Sequence, residues 1–136
     1  MGPNGSIFVG EFNGGQISVL ESIGTWREDL PDVPAPAGIL DAGSTTLGGE
    51  LYMVGGKTST SHISDVYVYN TGDPIDPTDD LWSTVTDLPG TAVENPSVVS
   101  FDGKVYVFGG STRPFSGAVS STAVFDPTTG YLDNAS

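Results

Sequence analysis

The strongest constraint in this sequence is an internal repeat with a period of about 55 residues, a length typical of repeat architectures. The pair Gly55-Gly56 recurs as Gly109-Gly110, and Trp26 recurs as Trp82 at nearly the same offset. Between these anchors each copy carries the tripeptide Asp-Leu-Pro and then a glycine-bearing turn before an alternating run. Such a repeat indicates one structural unit per copy, because these units bury their apolar faces by stacking on their neighbours.

The alternating runs predict β-strands. Leu51–Val54 and Val105–Phe108, which precede the double glycines, are hydrophobic at every position, as is typical of inner strands between packed sheets. Asp102-Gly103 predicts a tight hairpin, since both residue types tolerate a positive φ. The other predicted strands of these two copies are Ser44–Leu47, Val66–Tyr69, Pro96–Ser100 and Thr122–Phe125. No segment has a sustained helical period, so the chain is predicted to be all-β.

A third, weaker copy begins the chain. Ile7–Val9 predicts a strand, a loop through Gly14-Gly15 follows it, and Ile17–Leu20 predicts the next strand before Trp26. Gly10-Glu11 stands where the other copies have two glycines. No strand is predicted ahead of Ile7, so this copy is expected to lack its first strand.

The repeat resembles the kelch repeat, whose signature is a strand ending in a double glycine, an aromatic at the end of the next strand, and a Trp several residues later. The segments "VYVFGG", "LYMVGG" and "FDPTTGY" stand in those places, and the resemblance covers residues 6–131. In that family each repeat is a four-stranded antiparallel blade of a β-propeller. The resemblance implies structural roles near the propeller axis for Gly55, Gly56, Gly109 and Gly110, and between blades for Trp26, Trp82 and Tyr131.

The resemblance also implies a domain organisation of about three blades. Residues 1–5 are predicted to be a tag or disordered edge, and residues 6–136 a partial kelch propeller. Blade one would span 6–30 without its first strand, blade two 39–88 and blade three 95–136. Tyr131 replaces the usual Trp, and the Arg-x-Gly-His often found before the first strand of a blade is absent.

Three blades cannot close a ring, because propellers have four to eight blades and a kelch repeat occupies about 50 residues. An open wedge would expose an apolar blade face at each end. The chain is therefore expected either to be a fragment of a longer protein or to form a homodimer that closes a six-bladed ring.

The charge balance excludes some partners. Seventeen acidic residues against four basic ones give a net charge of -13, which argues against nucleic acid and anionic membrane surfaces. No apolar run is long enough for a transmembrane helix, so no membrane insertion is expected. With no cysteine there is no disulfide and no thiolate metal site, and the compartment is left open.

The clearest candidate metal site is the acidic segment "TGDPIDPTDD". Its residues Asp73, Asp76 and Asp79 carry oxygen ligands of the kind that calcium prefers. The spacing does not match an EF-hand, however, and two prolines in the segment favour a rigid, solvated turn before Trp82. No cofactor is predicted.

The loops between the second and third strands of each copy are the candidate binding surface. In kelch propellers these loops lie on a face commonly used for binding, and loops on a rigid scaffold often carry recognition residues. His62 is the only histidine of the chain, so a histidine pair that could hold a metal is absent. The candidate ligand-binding residues are Phe12, Asn13, His62, Arg113 and Phe115.

Three classes of function remain open. The leading interpretation is a non-catalytic module that binds a protein or carbohydrate ligand. The second is an assembly piece whose open blade edges join another chain. An enzyme is not favoured: relatives resembling galactose oxidase need a Cys-crosslinked Tyr and two His, and this chain has no Cys and one His. A kelch enzyme resembling sialic-acid mutarotase stays open, because its site would spread over further blades.

Overall fold

The structure is a computed structural model that describes residues 7–10, 17–20, 26–27, 30–35, 38–70, 81–113 and 116–135. Within these ranges every strand pairing is antiparallel and no residue is helical. The strands are β1 (Ile7–Gly10), β2 (Ile17–Leu20), β3 (Trp26–Arg27), β4 (Gly43–Leu47), β5 (Glu50–Val54), β6 (Asp65–Asn70), β7 (Leu81–Asp87), β8 (Ser97–Phe101), β9 (Lys104–Phe108), β10 (Ser111–Arg113), β11 (Ser116–Ala118), β12 (Thr122–Asp126) and β13 (Tyr131–Ala135). The all-β prediction is confirmed.

Three of the sheets repeat along the chain. The first has the order β1-β2-β3, the second β4-β5-β6-β7 and the third β8-β9-β12-β13. The hairpin β10-β11 is a separate two-stranded sheet within the third copy. The second and third sheets are therefore four-stranded antiparallel meanders, as expected of propeller blades. In the described part of the chain, no helix is long and apolar enough to cross a membrane.

The main core lies between the second and third sheets. Strands β4 and β8 contact each other directly, and the Ser100 amide donates a hydrogen bond to Thr45 Oγ1 at 3.1 Å. The rings of Tyr52 and Phe125 lie 6.1 Å apart across this contact. The buried side chains of this inter-sheet core are Tyr52, Val54, Val66, Val68, Leu88, Val93, Val105, Val107, Ala123 and Phe125.

The other face of the second sheet is covered by the segment that leads into it. Trp82 on β7 donates from Nε1 to the Pro31 carbonyl at 2.9 Å, and its ring lies 5.1 Å from that of Tyr69. Leu30 packs against the same pair of rings. Trp82 thus joins its own sheet to the connection from the preceding one. Trp26 lies in β3 and Tyr131 begins β13.

Both double glycines adopt backbone conformations that other residues rarely take. Gly55 and Gly56 have φ values of 61° and 100°, and the values at Gly109-Gly110 are 60° and 107°. A Cβ at Gly56 would lie 2.7 Å from the Leu40 carbonyl oxygen, and one at Gly55 would lie 2.7 Å from that of Val93. Glycine is required at Gly55-Gly56 both by φ and by the close approach of neighbouring backbone.

The first sheet differs from the repeat alignment by one position. In the second and third sheets, the last residue pairs before the loop between the second and third strands are Val54–Val66 and Phe108–Thr122. In the first sheet the corresponding pair is Gly10–Ile17. Gly10 therefore holds the position of the last strand residue. The predicted equivalence of Gly10-Glu11 with the double glycine is shifted by one residue, because the pairing of β1 extends through Gly10.

The energetic effect of the close backbone contact at Gly56 can be measured by comparison with a glycine of similar φ that has free space around it. Gly49 has φ 92°, and a Cβ there would meet nothing within 4 Å. We expect Gly49→Ala to cost about 1–2 kcal/mol from backbone strain alone. Gly56→Ala should cost about 1–3 kcal/mol more, because the new methyl group must displace the Leu40 backbone. Urea unfolding of both variants measures the difference, and equal losses would contradict this explanation.

Candidate functional site

The site is built around a short connection between the second and third sheets. In this linker segment (residues 93–95), the Val93 carbonyl accepts a hydrogen bond from the Gly56 amide at 2.8 Å, and the Asn95 amide donates to the Asp41 carbonyl at 2.7 Å. Glu94 exchanges two backbone hydrogen bonds of 2.9 Å with Ser111. Val93 and Asn95 thus bond to the second copy, and Glu94 between them bonds to Ser111 of the third copy. These bonds tie the two copies together.

The loop between β5 and β6 is a compact turn. The Thr58 amide donates to the Ser61 carbonyl at 2.7 Å, and Thr58 Oγ1 accepts from the amides of Thr60 and Ser61 at 3.2 and 3.1 Å. Such local bonds to a hydroxyl are a common way to close a turn. The turn pairs Lys57 with His62 as an isolated β-bridge, so these two residues lie opposite each other at the base of the loop.

Four ionisable side chains meet where the linker segment passes this loop, and we call them the ionic cluster (Asp41, Lys57, His62, Glu94). Lys57 Nζ lies 2.7 Å from Asp41 Oδ2 and 2.5 Å from Glu94 Oε2. His62 Nε2 lies 3.7 Å from the same Glu94 oxygen, which is too far for a hydrogen bond. Glu94 is only 3% exposed, so its carboxylate depends on the Lys57 ammonium for charge compensation.

The carboxylates also act on Lys57. Hydrogen bonds to Asp41 and then to Glu94 raise the pKa of Lys57, so the ammonium stays protonated at neutral pH. Lys57 and His62 keep 26% and 25% of their side-chain surfaces accessible, whereas Glu94 keeps 4%. The ionic cluster is therefore anchored by a buried carboxylate and presents a cation and an imidazole to solvent.

The hairpin β10-β11 carries Arg113 and is joined to the ionic cluster through the backbone hydrogen bonds between Ser111 and Glu94. Its strands pair Ser111 with Ala118 and Arg113 with Ser116. Ser111 Oγ donates to the Arg113 carbonyl and accepts from the Arg113 amide, and Thr112 Oγ1 donates to the Gly117 carbonyl at 3.2 Å. Because Ser111 also bonds to Glu94, the hairpin that exposes Arg113 is held by the same residue that anchors the ionic cluster.

The structure therefore connects two of the candidate residues predicted from sequence, His62 and Arg113, through the single residue Glu94. The other predicted site residues lie outside the described residues: Phe12, Asn13, Phe115, Asp73, Asp76 and Asp79. Within the described ranges, no group of three or more His, Cys, Asp or Glu side chains is arranged to hold a metal ion.

Sequence reasoning missed Asp41, Lys57 and Glu94. Two local signals were present. Lys57 directly follows the double glycine and is one of only four basic residues, and Glu94 is the charged residue in the otherwise uncharged approach "GTAVENPSV". Neither signal predicts the pairing, because the two residues are far apart in sequence and their loops meet only when the sheets stack.

A cavity lies next to Val93 of the linker segment. It has a volume of about 20 Å³, and its lining includes Leu88, Val93, Val107 and Ala123. This volume has room for about one water molecule. The cavity is too small for a sugar or a peptide side chain, so recognition by this region would use the loop surface.

The ionic cluster can be tested by removing its cation. We expect Lys57→Met to lower the melting temperature by several degrees, because the Glu94 carboxylate would remain buried without a cation. Lys104→Met is the matched control, since Lys104 begins β9 at the opposite end of the strand from the linker segment. Differential scanning calorimetry measures both variants.

A double variant separates the buried charge from lost packing. Adding Glu94→Leu to Lys57→Met removes the uncompensated carboxylate, so the double variant should melt above the value expected from adding the two single losses. Strict additivity would show that Glu94 and Lys57 are not energetically coupled. An equal fall in melting temperature in Lys104→Met would show that the loss in Lys57→Met does not come from the ionic cluster.

Comparisons with known proteins agree with this fold. A family model described as the kelch motif matches residues 94–131, from the linker segment to the start of β13. A search of curated proteins by sequence finds no match.

Two solved structures are similar to the chain. One, described as the structure of YjhT, has a TM-score of 0.62 at 21% identity and aligns with 79% of this chain and 29% of its own. The other, a fungal alcohol oxidase in complex with copper, has a TM-score of 0.75 at 17% identity and aligns with 98% of this chain and 29% of its own. The chain thus spans less than a third of the length of either protein, and at these identities the likeness concerns the fold. Together with the repeat and the stacked four-stranded sheets, these matches identify the chain as a stretch of kelch-type β-propeller.

Proposed function

We propose that this chain is a non-catalytic binding module that presents its loop face to a protein or carbohydrate ligand. The loop face comprises the β5–β6 loop (residues 57–62), the linker segment and the β10-β11 hairpin. The observation that carries the proposal is the buried Glu94, which ties the loop of Lys57 and His62 to the hairpin of Arg113. Loops fixed in this way lose little conformational entropy on binding a ligand.

The chemistry of the loop face suits a ligand rich in hydroxyl and carboxylate groups. Thr58, Thr60, Ser61 and Thr112 supply hydroxyl groups on or near the surface, and these can both donate and accept hydrogen bonds. The exposed guanidinium of Arg113 can bind a carboxylate with two parallel hydrogen bonds. An acidic sugar or an acidic peptide side chain would satisfy both features.

Arrays of oligosaccharides and peptides test this proposal. We expect Arg113→Ala to weaken binding of the best array ligand by about 10- to 100-fold, because a hydrogen bond to a charged group contributes about 1.5–3 kcal/mol. Lys104→Ala removes the same charge at the other end of the third sheet and should leave the affinity unchanged. Equal affinities of the two variants, measured by calorimetry, would count against the loop face.

A second candidate is part of a carbohydrate-active kelch enzyme, such as one resembling sialic-acid mutarotase. The observation that favours it is that one protein of similar fold is described as an alcohol oxidase, so this fold carries enzymes. In that case these blades would supply scaffold and binding groups. NMR measurement of the anomer exchange of sialic acid tests this candidate: a rate raised by the chain favours the enzyme, and sialic acid that neither binds nor exchanges faster counts against it.

A further inference from the structure

One ring nitrogen of the only histidine is buried against the Glu94 carboxylate. His62 keeps 25% of its side-chain surface accessible, yet its Nε2 atom is buried and has no hydrogen-bond partner among the described residues. That nitrogen lies 3.7 Å from Oε2 of Glu94, whose side chain is 4% exposed. Buried polar atoms are normally hydrogen-bonded, so an unpaired imidazole nitrogen that faces a carboxylate calls for a physical reason.

The protonation state of the imidazole supplies that reason. A neutral imidazole has one N–H group and one lone pair, whereas the protonated ring has an N–H group on both nitrogens and a positive charge. Hydrogen bonds between a charged donor and a carboxylate are about 2.7–2.9 Å long. The separation of 3.7 Å between His62 and Glu94 is too long for such a bond, which fits an uncharged ring.

The charges around His62 favour a second cation. Glu94 Oε2 lies 2.5 Å from Lys57 Nζ, but a carboxylate has lone pairs for further donors. The carboxylates of Asp41, before β4, and of Glu94, on the linker segment, outnumber the single Lys57 ammonium, so the ionic cluster is negative while His62 is neutral. Arg113 on the β10-β11 hairpin forms no ion pair with His62 in the described part of the chain. Protonation of His62 would therefore neutralise the cluster.

The two sides of the contact are held differently. Glu94 is fixed by the backbone hydrogen bonds of the linker segment to both copies. His62 lies at the end of the β5–β6 loop, and the amide of the next residue, Ile63, donates to the Gly56 carbonyl at 3.0 Å. A movement of the ring by about 0.8 Å would bring Nε2 within hydrogen-bonding distance of Glu94. That bond would fasten the loop to the linker segment.

The third copy offers an internal comparison without a titratable group. Lys57 lies opposite His62 across an isolated bridge, and at the same place after the second double glycine Ser111 lies opposite Ala118. The Val119 amide donates to the Gly110 carbonyl at 3.1 Å, as the Ile63 amide does to Gly56. The two copies therefore share the backbone arrangement and differ in the ionisable pair.

We propose that His62 and Glu94 form a pH-sensitive latch, which we call the histidine latch. When His62 is protonated, Nε2 donates to Glu94 and fastens the β5–β6 loop to the linker segment; when it is neutral, the loop is released. Histidine changes its charge within the physiological pH range. The consequence for ligand binding rests on the function proposed above: a latched loop is preorganised and carries one more positive charge, so an acidic ligand should bind more tightly as the pH falls.

Hydrogen exchange of the intact chain without ligand, followed by NMR, tests the latch itself. From about pH 7.5 to about pH 6, a range in which histidine protonates, we expect the protection of the Ile63 amide to rise about 3- to 10-fold after correction for the intrinsic exchange rate. The Val119 amide is the matched control and should keep its protection. His62→Gln, which has a polar side chain that stays uncharged, should abolish the rise at Ile63.

Two results would overturn the latch. One is a protection of Ile63 that does not change with pH, or that changes equally at Val119. The other is a rise at Ile63 that persists in His62→Gln, because His62 is the only histidine of the chain and no cysteine is present to titrate in its place.

Calorimetry with the best acidic member of the oligosaccharide and peptide arrays tests the effect on binding. We expect its affinity to rise about 3- to 10-fold over the same pH range in the wild-type chain and to stay constant in His62→Gln. An affinity that is independent of pH in the wild-type chain would overturn the regulation of binding by the latch. If no array member binds at either pH while Ile63 still responds, the proposed binding function fails and the latch stands.

Discussion

The close approach of the linker segment to Gly56 is the constraint on which the rest of the structure depends. The Gly56 amide and the Val93 carbonyl can meet at hydrogen-bonding distance because Gly55 has no Cβ, which would lie 2.7 Å from the Val93 carbonyl oxygen. That contact lies at the edge of the core formed where the third sheet stacks on the second. The stacking then buries Tyr52 and Phe125 in one core. A methyl group at Gly55 would collide with the Val93 carbonyl oxygen and disturb this contact.

The same contact organises the polar surface above the core. Since Val93 and Asn95 bond to the second sheet, Glu94 between them is held with its backbone on Ser111 and its carboxylate on Lys57. A buried carboxylate with one strong cationic partner allows few alternative arrangements, because losing the partner would leave an uncompensated charge. The local hydrogen bonds of Thr58, Ser111 and Thr112 shape the loops of the proposed binding face, and the packing of the sheets brings those loops together.

Much of the fold could be predicted because the alternation of side chains along a strand and the glycines at strand ends are local signals. The runs around Tyr52 and Tyr106 alternate clearly, and they form the strands expected of them. The register at Gly10 was harder, since only strand pairing decides whether a glycine ends a strand or begins a turn. The ionic cluster was not predictable at all, because its members come from three separate connections that meet only in the stacked sheets.

The sequence by itself determined the spaced repeat of alternating strands and paired glycines, since each feature acts within its own segment, and the resemblance of that repeat to the kelch repeat implied four-stranded blades. The tertiary structure decided which of two chemically similar residues is buried. Tyr52 and Tyr106 occupy equivalent positions, yet Tyr52 lies in the core between the two sheets whereas Tyr106 is only half-buried. Burial depends on whether a neighbouring sheet is present, and no pattern within a single repeat records its neighbour.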